Sequence, residues 1–162
     1  MRQIREIIAL FVLAISAYTD IKERNIYTMP LIVSAAGAVI MSVIMIIGAP
    51  AGEECDIFYS ELAGPALVGA LIIFAAALFK GHIGAGDAYL LAALGFILGI
   101  RQHLGTMIIA VFAAFIYAGG YVLLEKVQKR IGRAQKRRFH FGIPFAPFVM
   151  IGFVFVIAGG VF

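Results

Sequence analysis

Long apolar runs separated by short polar stretches dominate this sequence. A helix that crosses the hydrocarbon core of a bilayer needs about 20 such residues. Six runs approach or exceed that length: Ile4–Thr19, Thr28–Gly48, Glu61–Phe79, Asp87–Ile100, His103–Leu124 and Phe141–Phe162. No strand-like alternation of apolar and polar positions repeats along the chain. The pattern therefore predicts an all-α, polytopic membrane protein with about six transmembrane helices in a single domain, residues 1–162.

Two of these runs are atypical. The first contains Arg5 and Glu6, whose side chains are expected to reach the membrane interface. Its basic start and the small residues Ala14 and Ser16 also resemble a signal peptide, although a second apolar run follows closely and favours a retained helix. The fourth run, Asp87–Ile100, is short, so it either extends into the preceding loop or lies inside the bundle.

Composition supports the membrane assignment. Hydrophobic residues make up 63% of the chain and charged residues 14%, against about 25% charged in soluble domains. This balance excludes a disordered chain, and a soluble domain of this size could not bury so much apolar surface. The single cysteine, Cys55, cannot form a disulfide within the chain. The net charge of +4 is attributed to cytoplasmic loops and not to nucleic-acid binding.

The basic residues predict an orientation. Seven of the thirteen lie in the loop Glu125–His140, which places that loop in the cytoplasm. Helix alternation brings Asp20–Tyr27 and Lys80–Gly86 to the same side, whereas the acidic loop Ala49–Ser60 and both termini fall outside. Two arginines near the N terminus do not fit this arrangement. The basic loop is also suited to contact anionic membrane lipids, although a topology determinant is the simpler interpretation.

Two aspartates lie at the ends of predicted spans. Asp20 ends the first and Asp87 begins the fourth, and the predicted topology puts both on the cytoplasmic side. Ionisable groups next to a span suggest a functional site. There are simpler interpretations, because Asp87 could cap a helix and Asp20 could be an interfacial residue balanced by Lys22. Gly84 and Gly86 favour the functional one, since closely spaced glycines allow a sharp bend and the close approach of an extended peptide.

These segments resemble a known family. Gly84–Asp87 followed by Leu90–Gly95 is similar to the GxGD motif of type IV prepilin peptidases, which are membrane aspartic endopeptidases. Tyr18–Ile26 resembles their first-aspartate region, and Ile143–Phe148 resembles the proline-rich start of their last span. The resemblance covers nearly the whole chain in the right order. It implies six spans and a catalytic pair formed by Asp20 and Asp87.

The chain departs from the family pattern in three places. Tyr89 stands where members commonly have lysine, and Asn25–Tyr27 replaces the usual Ile-Pro-Asn. Only Cys55 is present, whereas the long bacterial enzymes carry paired CxxC motifs and a methyltransferase activity. The chain therefore resembles the short, peptidase-only forms of Tad/Flp pilus systems or of archaea. Methyl transfer, zinc and other cofactors are not expected.

The resemblance also implies a substrate and a reaction. The substrate would be a pilin-like precursor with a short basic leader and a hydrophobic helix, cut at the cytoplasmic face of the cell membrane. Two neighbouring carboxylates share a proton, so one can activate water while the other donates to the scissile carbonyl. Gly84 and Gly86 would admit the substrate backbone. Lys80 and Tyr89 are candidate substrate contacts, and His82 is interpreted as an ordinary loop residue.

Two other functions fit the same residues. In a small transporter or channel subunit the aspartates would carry protons or cations. In a non-catalytic pilus-assembly protein the basic loop would bind a cytoplasmic partner. Carriers usually place key carboxylates near the middle of the membrane, whereas Asp20 and Asp87 lie at helix ends, which favours the peptidase.

Overall fold

The computed structural model describes residues 2–79, 84–130 and 144–159, and all its regular elements in this part of the chain are helical. Its elements are α1 (Arg2–Glu23), α2 (Thr28–Ile47), α3 (Glu54–Phe58), a π-helical turn (Tyr59–Ala63), α4 (Gly64–Leu78), α5 (Ala85–Arg130) and α6 (Ala146–Ala158). The predicted all-α fold is confirmed.

Three helical runs are long and apolar enough to cross a membrane: Thr28–Ile47, Glu54–Leu78 and Ala85–Leu124. Helix α6 is apolar but shorter. Large hydrophobic side chains are widely exposed on the outside of the bundle, as lipid contact requires; Phe115 and Ile47 are examples. The chain is therefore a polytopic membrane protein.

Helix α5 folds back on itself at Gly99. This residue has φ 74° and ψ 165°, values outside the helical region that glycine adopts readily. A β-carbon built on Gly95 would lie 3.5 Å from the His103 ring, although eight residues separate the two. In a straight helix they would be about 12 Å apart along the axis. The predicted fourth and fifth spans are therefore the two arms of one helical hairpin with almost no loop.

The core lies where α1, both arms of α5 and α6 meet. Its largest fully buried apolar side chains include Leu13, Leu90, Leu94 and Phe153. Helix α6 packs closely on the second arm of α5 at Gly152, where a β-carbon would lie 2.5 Å from the Thr106 carbonyl oxygen. The N-terminal end of α6 is thereby held beside the end of α1.

Several predicted boundaries are wrong, and some predictions fall outside the described residues. Helix α1 continues to Glu23, into the predicted loop Asp20–Tyr27, and α3 lies within the predicted loop Ala49–Ser60. The loop expected to begin at Glu125 begins later, because α5 continues to Arg130. The remainder of that basic loop, through His140, lies outside the described part of the chain, as do Lys80 and His82.

Candidate active site

Asp20 lies in the last turn of α1, and its side chain is buried. Only 8% of the residue is exposed. The backbone N–H of Ala146, the first residue of α6, donates a hydrogen bond of 3.0 Å to Asp20 Oδ2. This contact joins residues 126 positions apart and fixes the orientation of the carboxylate. The Asp20 carboxylate is therefore enclosed by protein and not exposed at the helix end.

Asp87 is the third residue of α5 and is half-buried. Because α5 begins at Ala85, Gly84 precedes the helix and Asp87 is not its N-cap. The Asp87 carboxyl is close enough to Asp20 for an electrostatic interaction between the two side chains. The fold therefore places the two aspartates that the sequence singled out within electrostatic range of each other, with Asp20 enclosed and Asp87 partly accessible.

The two glycines of the motif touch different partners. A β-carbon on Gly84 would lie 2.8 Å from Asp87 Oδ2, so the Asp87 side chain folds back over Gly84. A β-carbon on Gly86 would lie 3.1 Å from Cβ of Ile26, in the connection between α1 and α2. Gly84 thus leaves room for the carboxylate, and Gly86 lets the start of α5 pack against the segment that follows Asp20.

The α1–α2 connection is braced close to the aspartates. Arg24, at φ 51°, ends α1 in the left-handed region. The Tyr27 hydroxyl donates a hydrogen bond of 2.7 Å to the Glu23 carboxylate. This bond, together with the negative charge of Glu23, raises the pKa of the Tyr27 hydroxyl above its usual value. The brace holds the segment on which Gly86 packs.

Tyr89 lies on a different side of α5 from the Asp87 carboxyl. Residues two positions apart in an α-helix, such as Asp87 and Tyr89, differ by about 200° in direction around the helix axis. Tyr89 is 47% exposed, while its neighbours Ala88 and Leu90 are buried. Its side chain therefore faces outward from the bundle and away from the aspartates.

Comparison with known proteins agrees with this arrangement. The family model described as the type IV leader peptidase family matches residues 7–119, a range that includes both aspartates and the glycine motif. The chain belongs to the type IV leader peptidase family. The sequence-based resemblance to prepilin peptidases is thereby confirmed at the level of the family.

A curated protein is also similar to the chain. It is the prepilin leader peptidase/N-methyltransferase of Bacillus subtilis (strain 168), which is 31% identical over 97 residues. The match covers 60% of this chain and 35% of the relative. The chain thus matches about a third of that protein's length. No solved structure matches the chain.

The geometry of Gly84 in this leader peptidase family member leads to a prediction. Gly84→Ala places a methyl group against Asp87 Oδ2 and displaces the carboxylate without disturbing the core. Because misplacement of a reacting group by about 1 Å can cost 100-fold in rate, we expect cleavage to fall about 10- to 100-fold while the protein remains folded. Cleavage kinetics and thermal unfolding in detergent check this.

Gly37→Ala is the control, because nothing lies within 4 Å of the added methyl group. Equal cleavage rates for Gly84→Ala and Gly37→Ala would contradict the prediction.

A second polar cluster lies at the other end of α1. Arg5 is 7% exposed and forms an ion pair with Glu61, a residue of the π-helical turn. The expectation that Arg5 reaches the interface is therefore wrong, because its guanidinium is enclosed by protein. A cavity of about 740 Å³ is bordered by this pair and by Gly99. The charge of Glu61, at the start of a predicted span on the same side as Arg5, was the sequence signal for this pair.

The described residues offer no group of three or more histidine, cysteine or acidic side chains that could hold a metal ion. His103 is fully buried, and both of its ring nitrogens lack hydrogen-bond partners within the described ranges. Its ring packs against Gly95, on the other arm of the α5 hairpin, so His103 fills the space between the two arms.

Proposed function

We propose that this chain is an aspartic endopeptidase that removes the short basic leader from type IV pilin-like precursors. The observation that carries the proposal is the approach of Asp20 and Asp87, from two separate helices, beside the glycine motif of a chain in the type IV leader peptidase family. Two neighbouring carboxyls that share one proton can activate water for hydrolysis of a peptide bond without a metal.

The reaction uses the pair as a unit that shares one proton. The ionised carboxylate accepts a proton from water, and the water attacks the scissile carbonyl carbon while the protonated carboxyl donates to its oxygen. The carboxyl that took the proton from water then gives it to the peptide nitrogen, the C–N bond breaks, and the hydroxyl proton of the intermediate returns to the other carboxylate, which restores the pair with its one shared proton. No covalent intermediate, metal or cofactor takes part. The roles of base and acid are not divided between Asp20 and Asp87, because coupled groups titrate together.

The substrate backbone approaches from the side on which Asp87 is accessible. The absence of a side chain at Gly84 leaves the Asp87 carboxylate uncovered there, which supports entry of an extended peptide. Lys80, close in sequence to the motif, is proposed to contact the substrate. Tyr89 is proposed to contact the hydrophobic helix of the precursor, because its exposed ring lies on the outer surface of α5.

The active site is proposed to face the cytoplasm, with both termini outside. The concentration of basic residues between positions 125 and 140 supports this orientation. The same segment is proposed to contact anionic lipids of the cell membrane.

Reconstitution tests this function. The full chain in liposomes is mixed with a precursor that carries a basic leader and an apolar helix, and the products are identified by mass spectrometry. We expect a single cut at the junction of leader and helix. A precursor whose apolar helix is replaced by a polar segment is the control and remains uncut. An uncut precursor beside folded, inserted chain would refute the peptidase, and collapse of a pH gradient across the same liposomes would favour the transporter.

A further inference from the structure

The Arg5 side chain connects α1 to three other elements. Its Nη1 donates to the Glu61 carboxylate in the π-helical turn. Its Nη2 donates to Ser42 Oγ of α2 at 3.2 Å and to the Phe96 carbonyl oxygen of α5 at 2.8 Å. A single buried guanidinium thus fixes the position of α1 against α2, the π-helical turn and the first arm of α5.

Such contacts carry particular weight in a membrane. Lipid chains are as apolar as the helices, so the hydrophobic effect does not hold helices in one register against each other. Polar contacts between helices do so, because sliding would leave a charged group without partners in an apolar medium. The bonds from Arg5 therefore oppose both sliding and rotation of α1 along α5.

Two unusual backbone features support the Arg5–Glu61 pair. Glu61 belongs to a π-helical turn, a rare distortion that is often found at functional sites. A β-carbon on Gly99 would lie 2.9 Å from Glu61 Oε1, so the glycine at the hairpin break also makes room for this carboxylate. The helix break at Gly99, the π-helical turn and the buried ion pair therefore coincide at one point. Burial of two charges costs desolvation free energy, which apolar side chains would not cost if this contact served only to pack the helices.

The same two helices carry the two aspartates at their opposite ends. Asp20 and Arg5 lie on α1, and Asp87 and Phe96 lie on the first arm of α5. Because both helical segments are stiff, a shift of α1 at the Arg5 end moves Asp20 relative to Asp87. The contact at one end of the bundle therefore controls the separation of the carboxyls at the other.

We propose that Arg5, held by Glu61, is a positioning residue for catalysis: it sets the register of α1 against α5 and thereby the distance between the Asp20 and Asp87 carboxyls. This inference rests on the proposed peptidase function. The competing interpretation is a structural ion pair that contributes only stability.

A double replacement separates the two interpretations. Arg5→Met with Glu61→Met removes both charges together and replaces them with apolar side chains of similar length. Such replacement of a buried ion pair is often neutral or stabilising. It nevertheless deletes the bonds to Ser42 and Phe96. We expect wild-type thermal stability, a kcat lowered about 100-fold, a KM within about threefold of wild type, and an altered pH profile, since the two carboxyls no longer share a proton in the same way.

The single substitution Arg5→Lys is a second test of the positioning role and does not depend on the double variant. It keeps the charge next to Glu61, but its three N–H donors share one nitrogen and cannot replace the two separate nitrogens with which Arg5 reaches Glu61 on one side and Ser42 and Phe96 on the other. We expect a kcat lowered about 10-fold with little change in KM. Arg101→Met is the matched control, because Arg101 borders the same cavity but is exposed, and it is expected to cleave at the wild-type rate.

Crosslinking provides a readout independent of cleavage. In a Cys55→Ser background, Ile26→Cys is combined with Gly86→Cys. A β-carbon on Gly86 would lie 3.1 Å from Cβ of Ile26, so a shift of a few tenths of an ångström brings the pair to the Cβ separation of about 3.5–4.5 Å that a disulfide needs. We expect the crosslink to form readily in the wild-type register and at least threefold less in the Arg5→Met/Glu61→Met background. Folded variants that cleave within threefold of the wild-type kcat and crosslink equally would overturn the positioning role. If the chain cuts no precursor but the crosslink still forms at least threefold less in the Arg5→Met/Glu61→Met background, the proposed peptidase function fails and the register role of Arg5 stands.

Discussion

We expect Asp20→Asn and Asp87→Asn each to lower leader cleavage by about a thousandfold or more. The amide has nearly the shape of the carboxyl, so it preserves packing but can neither accept the proton of water nor share one with its neighbour. At Asp20 the amide oxygen can still accept the hydrogen bond from the Ala146 N–H. The loss therefore reports chemistry and not unfolding.

The measurement is the single-turnover rate of precursor cleavage in liposomes, with thermal unfolding as the test of fold. Asp56→Asn is the matched control, because Asp56 is an exposed aspartate near the far end of the bundle. It is expected to cleave at the wild-type rate. If either active-site variant cleaved its precursor at a rate within tenfold of the wild type, the shared-proton mechanism would be wrong.

Much of the fold follows from the sequence because lipid imposes a simple rule. Helices must be apolar over most of their length, so the apolar runs marked the helices, and the charged residues at their ends stood out. Asp20 and Asp87 could be identified in this way, and helix alternation placed both on the same side of the membrane, where they can meet. The break within α5 was predicted only approximately, because the run continues through Gly99 and the expected boundary fell at residues 100–103.

The contacts that position the site were beyond the sequence. Asp20 is held by the N–H of Ala146, a backbone group that carries no sequence signal. Arg5 lies near a helix end, where a long basic side chain usually reaches the interface. The charge of Glu61 hinted at an ion pair, but only the fold reveals the Ser42 hydroxyl and the Phe96 carbonyl beside it. These partners come from distant segments, so local patterns cannot show whether the charge is exposed or paired.

The close contact between α5 and α6 should be the most sensitive packing point in the bundle. At Gly152 an added β-carbon would lie 2.5 Å from the Thr106 carbonyl oxygen and 3.0 Å from the Ala110 nitrogen. Both are backbone atoms within a helix, so they cannot rotate away as a flexible side chain could. We expect Gly152→Ala to destabilise the protein by about 3 kcal/mol, since overpacking of this kind forces whole segments apart.

The same substitution should also reduce cleavage in the protein that remains folded. Moving α6 away from α5 moves Ala146, whose N–H orients the Asp20 carboxylate. Thermal unfolding in detergent and the cleavage rate per folded molecule measure the two effects. Gly119→Ala is the matched control, because Gly119 also lies within a helix but has nothing within 4 Å of the added methyl. It should leave cleavage unchanged and stabilise the helix by about 0.5–1 kcal/mol, so equal melting temperatures for the two variants would show that α6 does not pack on α5 at Gly152.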